Sequence, residues 1–258
     1  MSDDVRAAYV DSARAWHGAP SKVYAALAHA VVESSPVPLP GARVLDVGAG
    51  TGLGARAAAS AGCDRVAALD LADTMLRVGG LGSVAVVADV DQIPFADNAF
   101  DLAIASCVLS HVARPERTLV EVLRVSSAVA ASAFREGWTH PAKAVVDAVA
   151  VQHGFVAPQW YVDLKHAGEA RVGSSSRLAA LAQAAGWPRC DVHALDVRTG
   201  LEQPDDLVQW RLGMAHLAPW VASLSGRQRA DIEGESVAAL RGAPELVVPL
   251  LVLTGVRP

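Results

Sequence analysis

The run VLDVGAGTG at 44–52 constrains this chain more than any other stretch. Its first half is short, apolar and β-branched, and predicts a buried strand over 43–47. Its second half sets Gly48, Gly50 and Gly52 ahead of an Ala-rich helix reaching about Ala61. Glycines at that place let the backbone turn tightly and approach a ligand with no Cβ in the way. In a doubly wound sheet such a loop lies at the carboxyl end of the first strand, where ligands bind. A dinucleotide loop would follow GxGxxG, but here the third glycine comes one position early and Leu53 stands in its place. Asp46 adds an anion two residues before Gly48. A carboxylate is unfavourable beside a pyrophosphate and favourable beside an ammonium group. The loop therefore suits a ligand with a cationic amino-acid portion.

The rest of the chain repeats the strand–helix rhythm. Helix is expected over 3–34, ended by Pro36, Pro38, Pro40 and Gly41. Strands are expected at 65–71, 83–89, 100–106 and 127–134, with a short helix at 73–78. Another helix starts at Pro115, with Leu119, Val120, Val122 and Leu123 as its buried face. Beyond Phe134 the rhythm changes, and 136–172 is poorly periodic. A helix at 174–185, a strand at 191–197, helices over 203–242 and a last strand at 246–254 complete the pattern. Alternating strands and helices argue for a mostly parallel sheet covered on both faces.

Composition excludes several alternatives. Charged residues make up 19% of the chain and apolar residues 52%, so it is not disordered. At 258 residues it can bury a large core without staples. Cys63, Cys107 and Cys190 lie far apart with no ligand spacing, so no structural metal or disulfide framework is expected, and a reducing cytoplasm fits. The start, MSDDVRAAYV, is acidic and lacks the pattern of a signal peptide, and no run is long enough to span a bilayer. A net charge of −5 gives no field for a nucleic-acid backbone. No nucleic-acid or membrane partner is expected, and the oligomeric state is open.

The second strand ends at Asp70, 18 residues after Gly52, where an acid accepts hydrogen bonds from ribose hydroxyls. The third ends at Ala88-Asp89. In order, VLDVGAGTG at 44–52, VAALDLADTML at 66–76, VVADVDQIPFADNAFD at 86–101 and SCVLSHV at 106–112 resemble the motifs of class I S-adenosylmethionine-dependent methyltransferases, specifically the small-molecule, type 11-like branch. The resemblance covers about residues 41–125. One departure is visible: Val125-Ser-Ser127 replaces the family's frequent Pro-Gly-Gly turn before the fifth strand.

The resemblance implies a Rossmann-like, doubly wound, mostly parallel seven-stranded sheet in a single domain over 1–258. Within it, 1–40 is a helical cap, 41–135 the cofactor-binding core, 136–172 and 203–242 inserted substrate-side lids, and 173–200 with 245–258 the remaining core. It further implies S-adenosyl-L-methionine as cofactor, S-adenosyl-L-homocysteine as product, and in-line methyl transfer to a small biosynthetic or natural-product intermediate. Asp46, Gly48, Ala49, Gly50, Thr51 and Gly52 would cradle the methionine part, and Asp70 the ribose. Leu71 and Met75 would pack near the adenine, Ala88, Asp89 and Val90 would border it, and Ser106 and Cys107 would line the transfer face up to Val108. Cys107 itself reads as a small buried apolar residue rather than a nucleophile.

His111 is the one catalytic candidate, as a general base, with helix packing as its other reading. No metal site is expected. Of 13 aromatic residues six are Trp, and between 41 and 125 the only aromatics are Phe95 and Phe100. Candidate acceptor-pocket residues are therefore Tyr9, Trp16, Trp138, His140, Trp160, Tyr161, Trp210 and Trp220, with Trp187 read as structural. His153, His166 and His216 are weaker candidates. Two other classes stand beside methyl transfer: a protein that binds the same cofactor without methylating, and an NAD-dependent oxidoreductase on a similar sheet.

Overall fold

Strand-forming runs that are apolar on both faces must be covered on both faces, and that requirement sets the architecture. The computed structural model describes residues 3–257, the Ser83 side chain excepted. It has one seven-stranded sheet in the order β3-β2-β1-β4-β5-β7-β6. The strands are β1 Arg43–Val47, β2 Arg65–Asp70, β3 Ala85–Val87, β4 Leu102–Ala105, β5 Ala128–Phe134, β6 Arg189–Arg198 and β7 Val247–Val256. β1 to β5 run parallel, while β7 is antiparallel to both β5 and β6. This is the Rossmann-like doubly wound sheet expected from the motifs, closed by one reversed strand.

The period-two alternation of strand side chains divides the core into two layers. Val44, Leu102, Ile104, Ala130, Val248, Leu250 and Val252 face one layer, packed under α2 (Ala19–Glu33), α3 (Leu53–Ser60), α6 (Pro141–Gln152), α10 (Pro204–Leu212) and α12 (Gly226–Ala239). Leu45, Val47, Ala103, Ala105, Val129, Ala131, Leu251 and Leu253 face the other, under α5 (Pro115–Val125) and α9 (Ser175–Ala184). Trp187 fills this second layer with no exposed surface and donates from Nε1 to the Leu119 carbonyl at 3.1 Å. α1 (Asp3–His17) lies outside both layers and packs its Ala13 and Trp16 against Ala72 and Met75.

Several boundaries differ from the sequence expectation, each for a local reason. β3 is shorter than 83–89 because residues Gly82–Val84 form a turn of 3-10 helix. Phe100 makes only an isolated bridge to Ser126 and stands outside β4. Val120 is exposed, and the inner face of α5 is Thr118, Leu119, Val122 and Val125 instead. The stretch 136–172 is helical, as α6, α7 (Gln159–Asp163), a wide π-turn at Leu164–Gly168 and α8 (Glu169–Val172). Residues 159–172 form one unbroken helical run whose π-turn shifts the side-chain register, so no single period runs through the stretch. Between α10 and α12, α11 covers Ala218–Ser223. Where the Pro-Gly-Gly turn is missing, buried Ser126 donates from Oγ to the carbonyls of Val122 and Ala128, which closes the turn by side chain. Among the described residues no helix is long and apolar enough to cross a membrane.

Replacing Trp187 by Ala should remove about 3–5 kcal/mol of unfolding free energy, the range for truncating a buried aromatic. Urea unfolding followed by far-UV circular dichroism reads the loss as a lower midpoint with an unchanged m-value.

Candidate functional site

The strand order reverses between β1 and β4, and at that switch point the carboxyl ends of the strands open into a cleft. Its floor is the glycine turn. Gly48 has φ +65°, and a Cβ there would stand 2.6 Å from Val108 Cγ2. Gly50 has φ +54°, and its Cβ would crowd Met75 Cε at 3.3 Å. Both sit on the cleft lining, with Ala49, Thr51, Leu53 and Gly54. Gly52 does not; it has φ +80° as the N-cap of α3, and a Cβ there would collide with Leu81. Its role is to start the helix.

Two carboxylates frame the turn. Asp46 is buried, its Oδ2 accepting from the Ala55 N–H at 2.7 Å while Oδ1 accepts no hydrogen bond. Burial, helped by the charge of Asp70, raises its pKa to about 7 against the pull of the Ala55 N–H and Arg56. Asp70, half-buried, accepts from the Gly50 N–H through Oδ2 and from the Ala72 N–H through Oδ1, both at 2.8 Å. Its pKa is raised by burial and held back by those N–H groups. Leu71, Met75, Asp89 and Val90 continue the lining, whereas Ala88 does not reach it. Asp89 Oδ1 accepts from the Asp91 N–H at 3.0 Å, which fixes the turn after β3.

The opposite wall leaves β4 through Ser106, Cys107 and Val108. Cys107 holds φ +58°, a left-handed conformation that costs a non-glycine residue about 1 kcal/mol or more. Its N–H donates to Ser132 Oγ at 3.1 Å, which secures the kink. Burial raises the thiol to about 11, so it stays protonated and serves as a wall.

A second cavity shares Tyr9, Trp16, Tyr24 and His111 with the cleft. These four rings make one partition: Trp16 lies 5.4 Å from Tyr9 and 4.5 Å from Tyr24 between centroids, and Tyr9 lies 5.6 Å from His111. Tyr9 Oη stands 3.5 Å from His111 Nε2, and His111 Nδ1 is buried without a partner. Burial and the charge of Lys165 lower the His111 pKa to about 4, so the ring is neutral at pH 7. Burial, then Asp70, keeps the Tyr9 hydroxyl protonated by raising its pKa.

Of the acceptor-pocket candidates, Trp138, Trp160, Tyr161 and Trp210 line this second cavity beside Tyr9 and Trp16. His140 does not: it is the N-cap of α6, where Nδ1 accepts from the Ala142 N–H at 3.1 Å. Trp220 packs on Phe155, 5.3 Å away, and faces a separate outer hollow. His153 pairs with Glu235 at 3.0 Å and His166 is exposed. His216 does line the cavity, stacked on Tyr161 at 3.7 Å and 4°.

Sequence reasoning missed Tyr24, Lys143, Lys165, Glu169 and Arg211. Arg211 is 3% exposed, pairs with Asp147 at 2.7 and 2.6 Å, and donates to Tyr161 Oη at 3.0 Å. Burial opposes its charge, but Asp147 and Tyr161 outweigh that and raise its pKa. An arginine inside the apolar half-turn WRL at 210–212 was the one available sign.

Residues 45–128 match the family described as a methyltransferase domain. A demethylmenaquinone methyltransferase of Renibacterium salmoninarum is 44% identical over 91 residues, covering 34% of this chain and 38% of that one. A ubiquinone/menaquinone biosynthesis C-methyltransferase of Cupriavidus taiwanensis is 38% identical over 33% of this chain and 39% of its own. The matched region thus spans about 38% of the first relative's length. Among solved structures, the cyclase SpnF aligns over 90% of this chain and 80% of its own at 19% identity, TM-score 0.52. Haemonchus contortus phosphoethanolamine N-methyltransferase 2, solved with S-adenosyl-L-methionine, aligns over 89% of this chain and 51% of its own at 18% identity, TM-score 0.53.

The His111 ring should remain neutral down to about pH 5 and titrate near 4 instead of near 6.5, as read from its imidazole carbon and nitrogen NMR shifts. Because folding lowers this pKa, its contribution to stability is complete above pH 6.5 and is lost as pH falls toward 4. A His111→Gln variant should therefore show a shallower fall of Tm over that window.

Proposed function

With a methyltransferase-domain segment at 45–128 set in a whole-chain class I methyltransferase fold, we propose that this chain binds S-adenosyl-L-methionine and methylates a small, ring-containing acceptor, releasing S-adenosyl-L-homocysteine. The observation that carries the reading is the pair of cavities meeting at one aromatic partition. Gly48 and Gly50 let the turn close on Val108 and Met75 where a Cβ would crowd them, and Asp46 lines the cleft with one carboxylate oxygen that accepts no hydrogen bond from the described residues. That donor set fits the cofactor: Asp46 would hold its ammonium group, Asp70 the ribose, and Leu71, Met75 and Val90 the adenine. When bound, the cofactor supplies a methyl carbon activated by a sulfonium.

The chain's own share is alignment and exclusion of water. Tyr9, Trp16, Tyr24 and His111 border both cavities, so a methyl group presented in the cleft and an acceptor in the second cavity would meet beside these rings. His111 is neutral, but a base titrating near 4 gives little drive for removing a proton at pH 7. The acceptor atom is then one that is already nucleophilic, through ionisation or an electron-rich ring, and His111 orients more than it abstracts. Quinone-type rings, the chemistry printed in the names of the sequence relatives, belong to this class. The cysteines are free, as suits a reducing cytoplasm. A non-methylating use of the same site is the second reading, favoured by the cyclase SpnF sharing the fold.

Calorimetric titration with S-adenosylhomocysteine should show binding, and NAD none; binding of NAD alone would overturn the reading. Asp46→Asn should weaken binding about tenfold or more, the worth of a charged hydrogen bond. The folded pKa of about 7 lies above the unfolded value, so below it Asp46 must lose a proton to meet the ammonium. Affinity should accordingly rise with pH from 5.5, by at most tenfold per unit, and level off above about 7, with the rise absent in Asp46→Asn. Transfer of labelled methyl to ring acceptors separates the two readings: none transferred by a protein that binds the cofactor selects the second.

A further inference from the structure

The second cavity carries a charge imbalance that its aromatic walls do not explain. Three cations line it: Lys143, Lys165 and Arg211. Lys165 is neutralised by Glu169 and Arg211 by Asp147. Lys143 has no carboxylate partner among the described residues. Its Nζ donates to the Trp138 carbonyl at 3.0 Å and sits 4.2 Å from the centroid of the Trp138 ring, which leaves donor capacity unused. Two further polar groups are stranded there. Trp210 Nε1 and His216 Nε2 are buried without hydrogen-bond partners, although their residues are 2% and 5% exposed and line the same cavity. Unpaired polar atoms at such depth are costly, so each calls for a partner such as a bound water, ion or ligand.

The remaining ionisable neighbours do not compensate. Tyr9 and Tyr24 line the cavity, and burial keeps both hydroxyls neutral. His216 is neutral through burial and the charges of Arg211, Lys165 and Lys143. Burial, then Lys165 and Arg211, lowers Lys143 to about 8 against the pull of Glu169 and Asp147. Lys143 stays mostly charged at pH 7, and an anion placed there would stabilise that charge.

We propose that the second cavity takes a planar ring bearing an anionic oxygen group, a carboxylate or an ionised phenol, seated against Lys143 with Trp210 Nε1–H as an additional donor. Lys143 lines the second cavity and not the cleft, so this group anchors the ring on the side away from the cofactor and turns the opposite edge toward the Tyr9–His111 partition. Only the description of this ring as the methyl acceptor rests on the methyl-transfer reading; the anion site stands on the cavity itself.

The test is calorimetry at pH 7 with three probes: 2-naphthoate, 2,4-dinitrophenolate and the neutral 2-naphthamide. It is run on the protein alone and saturated with S-adenosylhomocysteine. At least one anion should bind tenfold or more tightly than the amide. Preference for naphthoate alone assigns a carboxylate, and preference for dinitrophenolate alone assigns a phenol. Lys143→Gln should bring the preferred anion to the level of the amide, and Lys143→Arg should keep the preference, with circular dichroism unchanged in both. Equal binding of all three probes, no binding of any, or a preference that survives Lys143→Gln overturns the proposal. Failure of S-adenosylhomocysteine to bind overturns the cofactor reading instead and leaves the anion preference of the ligand-free protein as measured.

Discussion

One side chain holds the cleft open in its working shape. The two oxygens of Asp70 tie the N–H of Gly50 to the N–H of Ala72, so the glycine turn after β1 and the turn after β2 are fixed to a single carboxylate. The Ala49 N–H donates to the Leu69 carbonyl beside it, at 2.9 Å. With the turn pinned, Gly48 can lie against Val108, and Asp46 can cap the start of α3 while one oxygen stays uncommitted. Charged hydrogen bonds of this kind are about twice as strong as neutral ones, which suits an anchor that must hold a loop with no side chains of its own.

Electrostatics divides the two cavities. The cleft presents acids, Asp46, Asp70 and Asp89, and so attracts a cationic partner. The second cavity presents three cations against one lining acid, Glu169. Between them the aromatic partition is neutral, since Tyr9 keeps its proton and His111 lacks one. The charged linings thus differ in sign on the two sides of one set of neutral rings.

The cofactor side was legible because it is local. Gly48, Asp70 and Asp89 stand at or just after three strand ends; strand periodicity and glycine spacing located those ends, and the family resemblance supplied the role of Asp89. Their geometry also shows what spacing could not: Gly52 serves the helix start, and Ala88 faces away from the cleft. The second cavity was hidden because its residues are scattered over α1, α2, the loop after β4, the end of β5, α6, the helical run 159–172, α10 and β7. Trp138, Trp160 and Trp210 were found through their rarity elsewhere, whereas Lys143 and Arg211 were not singled out. Only tertiary packing turned those two inward. Trp220 failed for the converse reason: the same residue type stands on the far side of Phe155.

The reversed strand has a consequence for how the molecule is assembled. β6 occupies the sheet edge, and its only strand partner is β7, along ten residues from Arg189 to Arg198. β7 comes last among the strands and must slide between β5 and β6. Until 247–256 arrives, β6 has nothing to pair with and the inner edge of β5 stays bare. The parallel half around the glycine turn contains only neighbours earlier in the chain, so it can form first. Closure of the sheet therefore waits on a pairing of long sequence separation, from 128 to 256, and long-range pairings of that kind are the slow ones.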